Sequence, residues 1–209
     1  MPRVTAEYRA NRRAEIVAAA GRLFAGNGFH ATSMADIIAE SGLSAGAVYR
    51  YFRSKEELIA VVAETALSTA DEIFGELLAD GATPSPSHAV TTMIDGVMTR
   101  ASGAGGTGHD LTRIALQVWA EALRSPELGR RTEEVFRRLS GHYTEVARRW
   151  QAAGHLPTDA SPDQVGAAML GLTQGFLLQH LLIADVTATS YATGVRELLG
   201  EEGSAITTS

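Results

Sequence analysis

The residues best suited to chemistry in this chain lie between Gly42 and Lys55, and more than one chemistry could claim them. Gly42-Leu-Ser44-Ala-Gly46 spells G-x-S-x-G, a pattern in which a strained strand-to-helix turn exposes a serine nucleophile. Tyr49, Arg50 and Tyr51 place two hydroxyls and a guanidinium on consecutive residues, groups suited to phosphate oxygens and base edges. Lys55, the only lysine in the chain, opens a helical pattern; amides, helix dipole and ammonium together would clamp a phosphate there. Further along, Gly103-Ala-Gly-Gly-Thr-Gly108 fits G-x-G-x-x-G, a dinucleotide cradle when a strand leads into it. The six histidines (His30, His88, His109, His142, His155 and His180) show no metal-ligand spacing, so no metal or cofactor is expected. Each is expected at the surface, except His180, expected to be buried with a hydrogen-bond partner. The absence of cysteine excludes disulfides and thiol catalysis.

The elements that position these residues decide among the chemistries. Met34, Ile37 and Ile38 are spaced as one face of a helix, with Thr32 or Ser33 to cap it and Asp36 in its first turn. Ser41-Gly42 stops that helix, Leu43 plugs the angle, and Ser44 caps a second helix whose stripe is Val48 and Phe52. Ser54 and Glu57 then form a capping box for a third. A helix therefore precedes Ser44 where the nucleophile elbow needs a strand. No strand precedes Gly103 either, so both enzyme patterns read as accidents. A Ser44 hydrolase remains as a rival, and an all-helical interaction protein as another.

Helix, glycine turn, helix is the form of a helix-turn-helix. The run Gly42–Leu58, GLSAGAVYRYFRSKEEL, resembles the recognition-helix signature of TetR-type transcriptional regulators, and Arg12–Phe29, closed by GNGF, resembles that family's first helix. The resemblance covers about the first quarter of the chain. It implies DNA contacts from Thr32 and Ser33 to backbone phosphates and from Ser44, Ala45 and Gly46 at the groove. It also implies phosphate contacts from Tyr49, Tyr51 and Lys55, with Arg50 as a base or phosphate contact. Ala45 and Ala47 offer no hydrogen-bonding side chain, so base reading is expected to be sparse, leaving more to Arg50, thymine methyls and DNA shape.

The net charge of −6 looks wrong for such a partner until it is divided. Residues 1–55 hold eight basic and four acidic side chains, a net of +4, and residues 56–209 hold ten and twenty, a net of −10. A basic head on an acidic body is the footprint of a nucleic-acid binder. Arg3, Arg9, Arg12 and Arg13 extend the basic region into a possible N-terminal arm, with disorder the competing reading for residues 1–8. No signal peptide is recognisable, and a cytoplasmic protein is expected.

No strand pattern stands out, and the expected fold is all-α with about nine helices. A three-helix DNA-binding head spans residues 1–54, a helical effector-binding and dimerisation domain 55–199, and a disordered tail 200–209. The body helices are expected at about 55–79, up to 101, 110–123, 126–153, 162–184 and up to 199. The eighth carries no charge from Gln164 to Ala184 and holds Gly171 and Gly175. Its polar Gln174, Gln179 and His180, and flanks without lysine or arginine, favour a helix buried on both sides over a membrane span. The resemblance implies a homodimer through helices 8 and 9, which a palindromic or near-palindromic operator also requires. It further implies a small-molecule pocket within helices 4–8, for which Leu67, Met93, Val97, Trp119, Tyr143 and Gln174 are the lining candidates. Their few charges suit a mainly apolar effector. The expected function is a repressor released by that ligand; an activator or a ligand-independent regulator of the same fold is the alternative.

Overall fold

The computed structural model describes residues 6–101 and 111–200; a few side chains inside helices, Leu67 among them, fall outside that description. The Gly103–Gly108 pattern, His109, Arg3 and the tail from residue 201 also lie outside it. The described residues form nine α-helices and one short 3-10 turn, with no strand. They are α1 (Ala6–Asn27), α2 (Met34–Ser41), α3 (Ala45–Tyr51), α4 (Lys55–Leu77), α5 (Pro86–Ala101), α6 (Leu111–Ala122), α7 (Pro126–Ala152), α8 (Pro162–Leu182) and α9 (Ala188–Leu199), with the 3-10 turn at Ala79–Gly81.

Local chemistry sets most boundaries. Ser33 caps α2: its hydroxyl accepts from the Asp36 amide, and the Asp36 carboxylate accepts from the Ser33 amide at 2.8 Å. Gly42 ends α2 in the left-handed conformation, at φ 67°. Ser44 caps α3, Ser161 caps α8 ahead of Pro162, and Thr187 caps α9 through a box with Ser190. The box expected at α4 is offset: Ser54 accepts from the Glu57 amide, but Glu57 accepts from the Arg53 amide, one residue earlier than the pattern requires. The first helix starts at Ala6, so Arg9, Arg12 and Arg13 stand on α1 rather than on an arm.

Contacts divide the chain into two compact units, Met1–Ala66 with Thr99–Thr132, and Leu67–Met98 with Glu133–Ser209. The division falls inside α4, α5 and α7, and α6 belongs with the first unit. That differs from a head ending at residue 54. In the first unit Ile16, Ala20 and Phe24 of α1 meet Ile37, Val48, Phe52, Leu58 and Val62 in one core, which Ile114 and Val118 of α6 complete. Leu43 packs against this core from the turn, as its position between the helices predicts.

In the second unit Tyr143 on α7 is 1% exposed and meets the Phe74 ring edge-on at 4.8 Å. Its hydroxyl lies 2.6 Å from the Thr173 hydroxyl on α8. Helix α8 lies close against α7 at Gly166, where an added Cβ would fall 2.6 Å from the Thr144 amide nitrogen. Arg149 donates to the carbonyls of Leu78 and Ala82, each at 2.9 Å, closing the end of α4.

Candidate nucleic-acid interface

The α2–turn–α3 segment is held from beneath and left open above. Val48 is fully buried and Phe52, the C-cap of α3, is 2% exposed, so one face of α3 is fixed in the core. Ser44, Ala45, Gly46, Tyr49 and Arg50 are exposed on the other face. Gly46 has open space around its Cα, which lets another backbone approach closely. Arg50, and Arg53 beyond it, have no carboxylate partner among the described residues, so both guanidiniums can meet an external anion.

The expected contact residues separate into groups. Ser33, Ser44, Ala45, Gly46, Tyr49 and Arg50 are all exposed, with Tyr49 49% exposed. Tyr51 is half-buried, with its ring packed on the head's core. Thr32 is 1% exposed, and its hydroxyl donates to the Gly28 carbonyl at 2.8 Å, so a backbone phosphate cannot reach it. Lys55 is also turned inward: its ammonium donates to the Phe29 carbonyl at 2.7 Å. Ser44 accepts from the Ala47 amide as a helix cap, and no strand leads into it.

Sequence reasoning passed over Arg53 and expected Arg13 on an N-terminal arm. Arg53 falls just past the α3 stripe, and Arg13 sits with its guanidinium 5.3 Å from the centroid of the Phe52 ring, a stacking that joins α1 to the end of α3. Arg22 is paired with Glu40 at 2.9 Å and Arg12 with Glu15 at 2.6 Å, both at the surface. The Asp36 carboxylate is held below the ordinary acid range, chiefly by the Ser33 hydroxyl and then by the Ser33 amide.

The six expected ligand residues do not gather in one unit. Met93, Val97, Tyr143 and Gln174 belong to the second, whereas Trp119 on α6 packs against the head's core in the first. Tyr143 has its polar tip satisfied by Thr173, and burial pushes its phenol well above its usual range. Gln174 is different: its amide nitrogen is buried and has no hydrogen-bond partner among the described residues. A shallow depression on α9, lined by Thr193, Arg196, Glu197 and Gly200, includes none of the six. The histidines are mostly engaged within the fold: His142 lies 2.8 Å from Asp71, His30 lies 2.7 Å from Glu121, and His155 and His180 stack on Trp150 and Phe176. His142 is thus half-buried rather than at the surface. His180 is also half-buried, and its Nδ1 donates to the Val186 carbonyl at 2.8 Å.

Comparison with known proteins agrees with this geometry. Residues 16–62 match the model of bacterial regulatory proteins of the tetR family, and residues 104–202 match that of the C-terminal part of BetI-type transcriptional repressors. The HTH-type transcriptional regulator UidR of Escherichia coli (strain K12) is 26% identical over 194 residues, 90% of this chain and 91% of that protein. The HTH-type regulator YfiR of Bacillus subtilis is 47% identical over 66 residues, a stretch that is 32% of each chain. Among solved structures, a transcriptional regulator from Saccharomonospora viridis in complex with choline superposes with a TM-score of 0.74, at 19% identity, over 90% of this chain and 95% of that one. These relatives are regulators rather than enzymes, which removes the Ser44 hydrolase. With two family models covering head and body in order, and the helix-turn-helix in place, the chain belongs to the TetR family of DNA-binding transcriptional regulators.

Proposed function

We propose that this protein is a cytoplasmic homodimeric repressor that holds a palindromic or near-palindromic operator and leaves it when a small, mainly apolar molecule binds the helical body. The observation that carries the DNA part is the α3 surface, where Ser44, Ala45, Gly46, Tyr49 and Arg50 stand exposed over a buried Val48–Phe52 stripe. In this reading Ser33 and Tyr49 bind phosphates, Arg50 reads a base edge, and Arg13 and Arg53 add backbone contacts. The BetI-type match of the body, described as a repressor, supports the sign of the regulation.

Dimerisation is supported by the outer face of α8 and the chain after it. Ala167, Ala168 and Gly171 are exposed small residues, and Leu182 is 73% exposed and Leu198 72%. The helix α8 is long and apolar enough to cross a membrane by length and composition, but a second copy of this chain accounts for such a face as well. The effector is supported by Gln174, whose buried amide nitrogen is a donor that an acceptor atom on a ligand would satisfy.

A duplex selected by the full-length protein from a random-sequence pool tests the central claim. Arg50→Ala is expected to keep the fold and relax preference at one position in each half-site, costing about 1–3 kcal/mol against the best sequence. A selected sequence equally well bound by Arg50→Ala and Tyr49→Ala would remove α3 from the groove.

A further inference from the structure

The turn that joins α1 to α2 is tied down bond by bond, and one of those bonds comes from the start of α4. Helix α1 ends at Asn27, and Gly28 takes φ 86° with its amide on the Phe24 carbonyl at 3.0 Å. The Gly28 carbonyl accepts from the Thr32 hydroxyl, and the Phe29 carbonyl accepts from the Lys55 ammonium at 2.7 Å. The Phe29 ring is buried, edge-on to Phe24 at 4.8 Å. Ser33, the cap of α2, follows directly.

A cation at the first position of a helix faces the positive end of the dipole and is unfavourable there by itself. Lys55 occupies that position in α4, and its compensation is a carbonyl beyond the C-terminus of α1. The residue type fits the task. The other cations among the chain's 18 are arginines, and a guanidinium fork suits paired acceptors, whereas a single carbonyl in a half-buried site suits a point donor on a thin stem. The Phe29 carbonyl takes one of the three ammonium N–H donors, and hydrogen bonds to charged groups are among the costlier ones to lose, so the bond holds the ammonium at the turn.

We propose that Lys55 is a positioning residue for DNA binding: through the Phe29 carbonyl it locks the α1–α2 turn, and with it the DNA-facing N-terminus of α2, to the first turn of α4. It does not neutralise a phosphate. This rests on the DNA-binding reading of α2 and α3.

The test uses the full-length chain with Lys55→Met, which keeps the apolar stem and removes the ammonium. Affinity for a duplex selected by the wild-type protein is measured across a range of salt. Roughly tenfold weaker binding is expected at every salt concentration, with parallel log–log lines. A slope shallower by about 0.9, the mark of one lost phosphate contact, overturns the proposal, and so does unchanged affinity. Amide hydrogen exchange of the DNA-free protein gives a second, independent readout. Exchange within residues 28–33 is expected to speed up in Lys55→Met while the middle of α1 keeps its protection; unchanged exchange there overturns the proposal. If the wild-type protein selects no duplex, the DNA-binding reading fails, and the exchange measurement still decides whether Lys55 locks the turn.

Discussion

Ser33 and Asp36 exchange hydrogen bonds at the entrance to α2, and that exchange has a pH signature. The Asp36 carboxylate titrates below its usual value because the Ser33 hydroxyl and amide donate to the charged form. A depressed folded value means that its stabilisation is present above the ordinary carboxylate range, near 3.8, and is lost as pH falls through the folded value. Asp36→Asn is therefore expected to lower the neutral plateau and flatten the acid limb, so that variant and wild type converge at low pH, as urea melts at several pH values would show. Tyr143 poses a different case. Thr173 also bonds the Met169 carbonyl, so Tyr143→Phe leaves no orphan hydroxyl and should cost only about 1 kcal/mol by thermal denaturation. The sequence announced the cap, since Ser-x-x-Asp before an apolar run is local. It could not announce that Thr32 and Lys55 face inward. Lys55 meets a carbonyl 26 positions away, and Thr32, adjacent to the true cap, has the same hydroxyl as a cap would.

At the level of elements, caps and breakers made α2, α3 and α8 legible to within a residue or two, whereas for α9 only the end near Leu199 was, its Thr187–Ser190 box having gone unread. The first turns of α1 were not. Ala6–Asn11 has no apolar stripe, and its helix rests on good helix formers and on the Arg12 guanidinium, which bonds the Tyr8 hydroxyl at 3.1 Å. The membership of α6 in the head's core was equally hidden, because Ile114 and Val118 carry a helical stripe that fits any apolar partner. Two glycines of α8 separate packing from surface. At Gly166 a Cβ would meet the Thr144 backbone at 2.6 Å, and backbone cannot yield cheaply, so Gly166→Ala should destabilise by about 1–3 kcal/mol. At Gly171 a Cβ meets nothing within 4 Å, and Gly171→Ala should stabilise the isolated chain by roughly 0.5–1 kcal/mol through helix propensity. Melting curves of the two variants should move in opposite directions.

Over the whole molecule, the charge split was visible in composition, and it placed the DNA-binding end correctly although the total is acidic. The proposed dimer rests on exposed apolar residues, Leu182 and Leu198 among them, that composition does not reveal. Leu182→Glu puts a charge on the outer face of α8 and is expected to yield monomers in sedimentation, with operator affinity falling because one head cannot fill two half-sites. An unchanged dimer would move the interface elsewhere. The single lysine has a further consequence. A lysine-specific protease can cut this chain at one place, after Lys55, where α3 has ended and α4 begins. That cut releases a fragment of net charge +4 from one of −10, a difference that any ion-exchange column resolves. The scissile bond lies in the first turn of α4, so cleavage waits for that turn to open. The rate at which native protein is nicked thus becomes a clock, built into the chain, for how often the head lets go of α4.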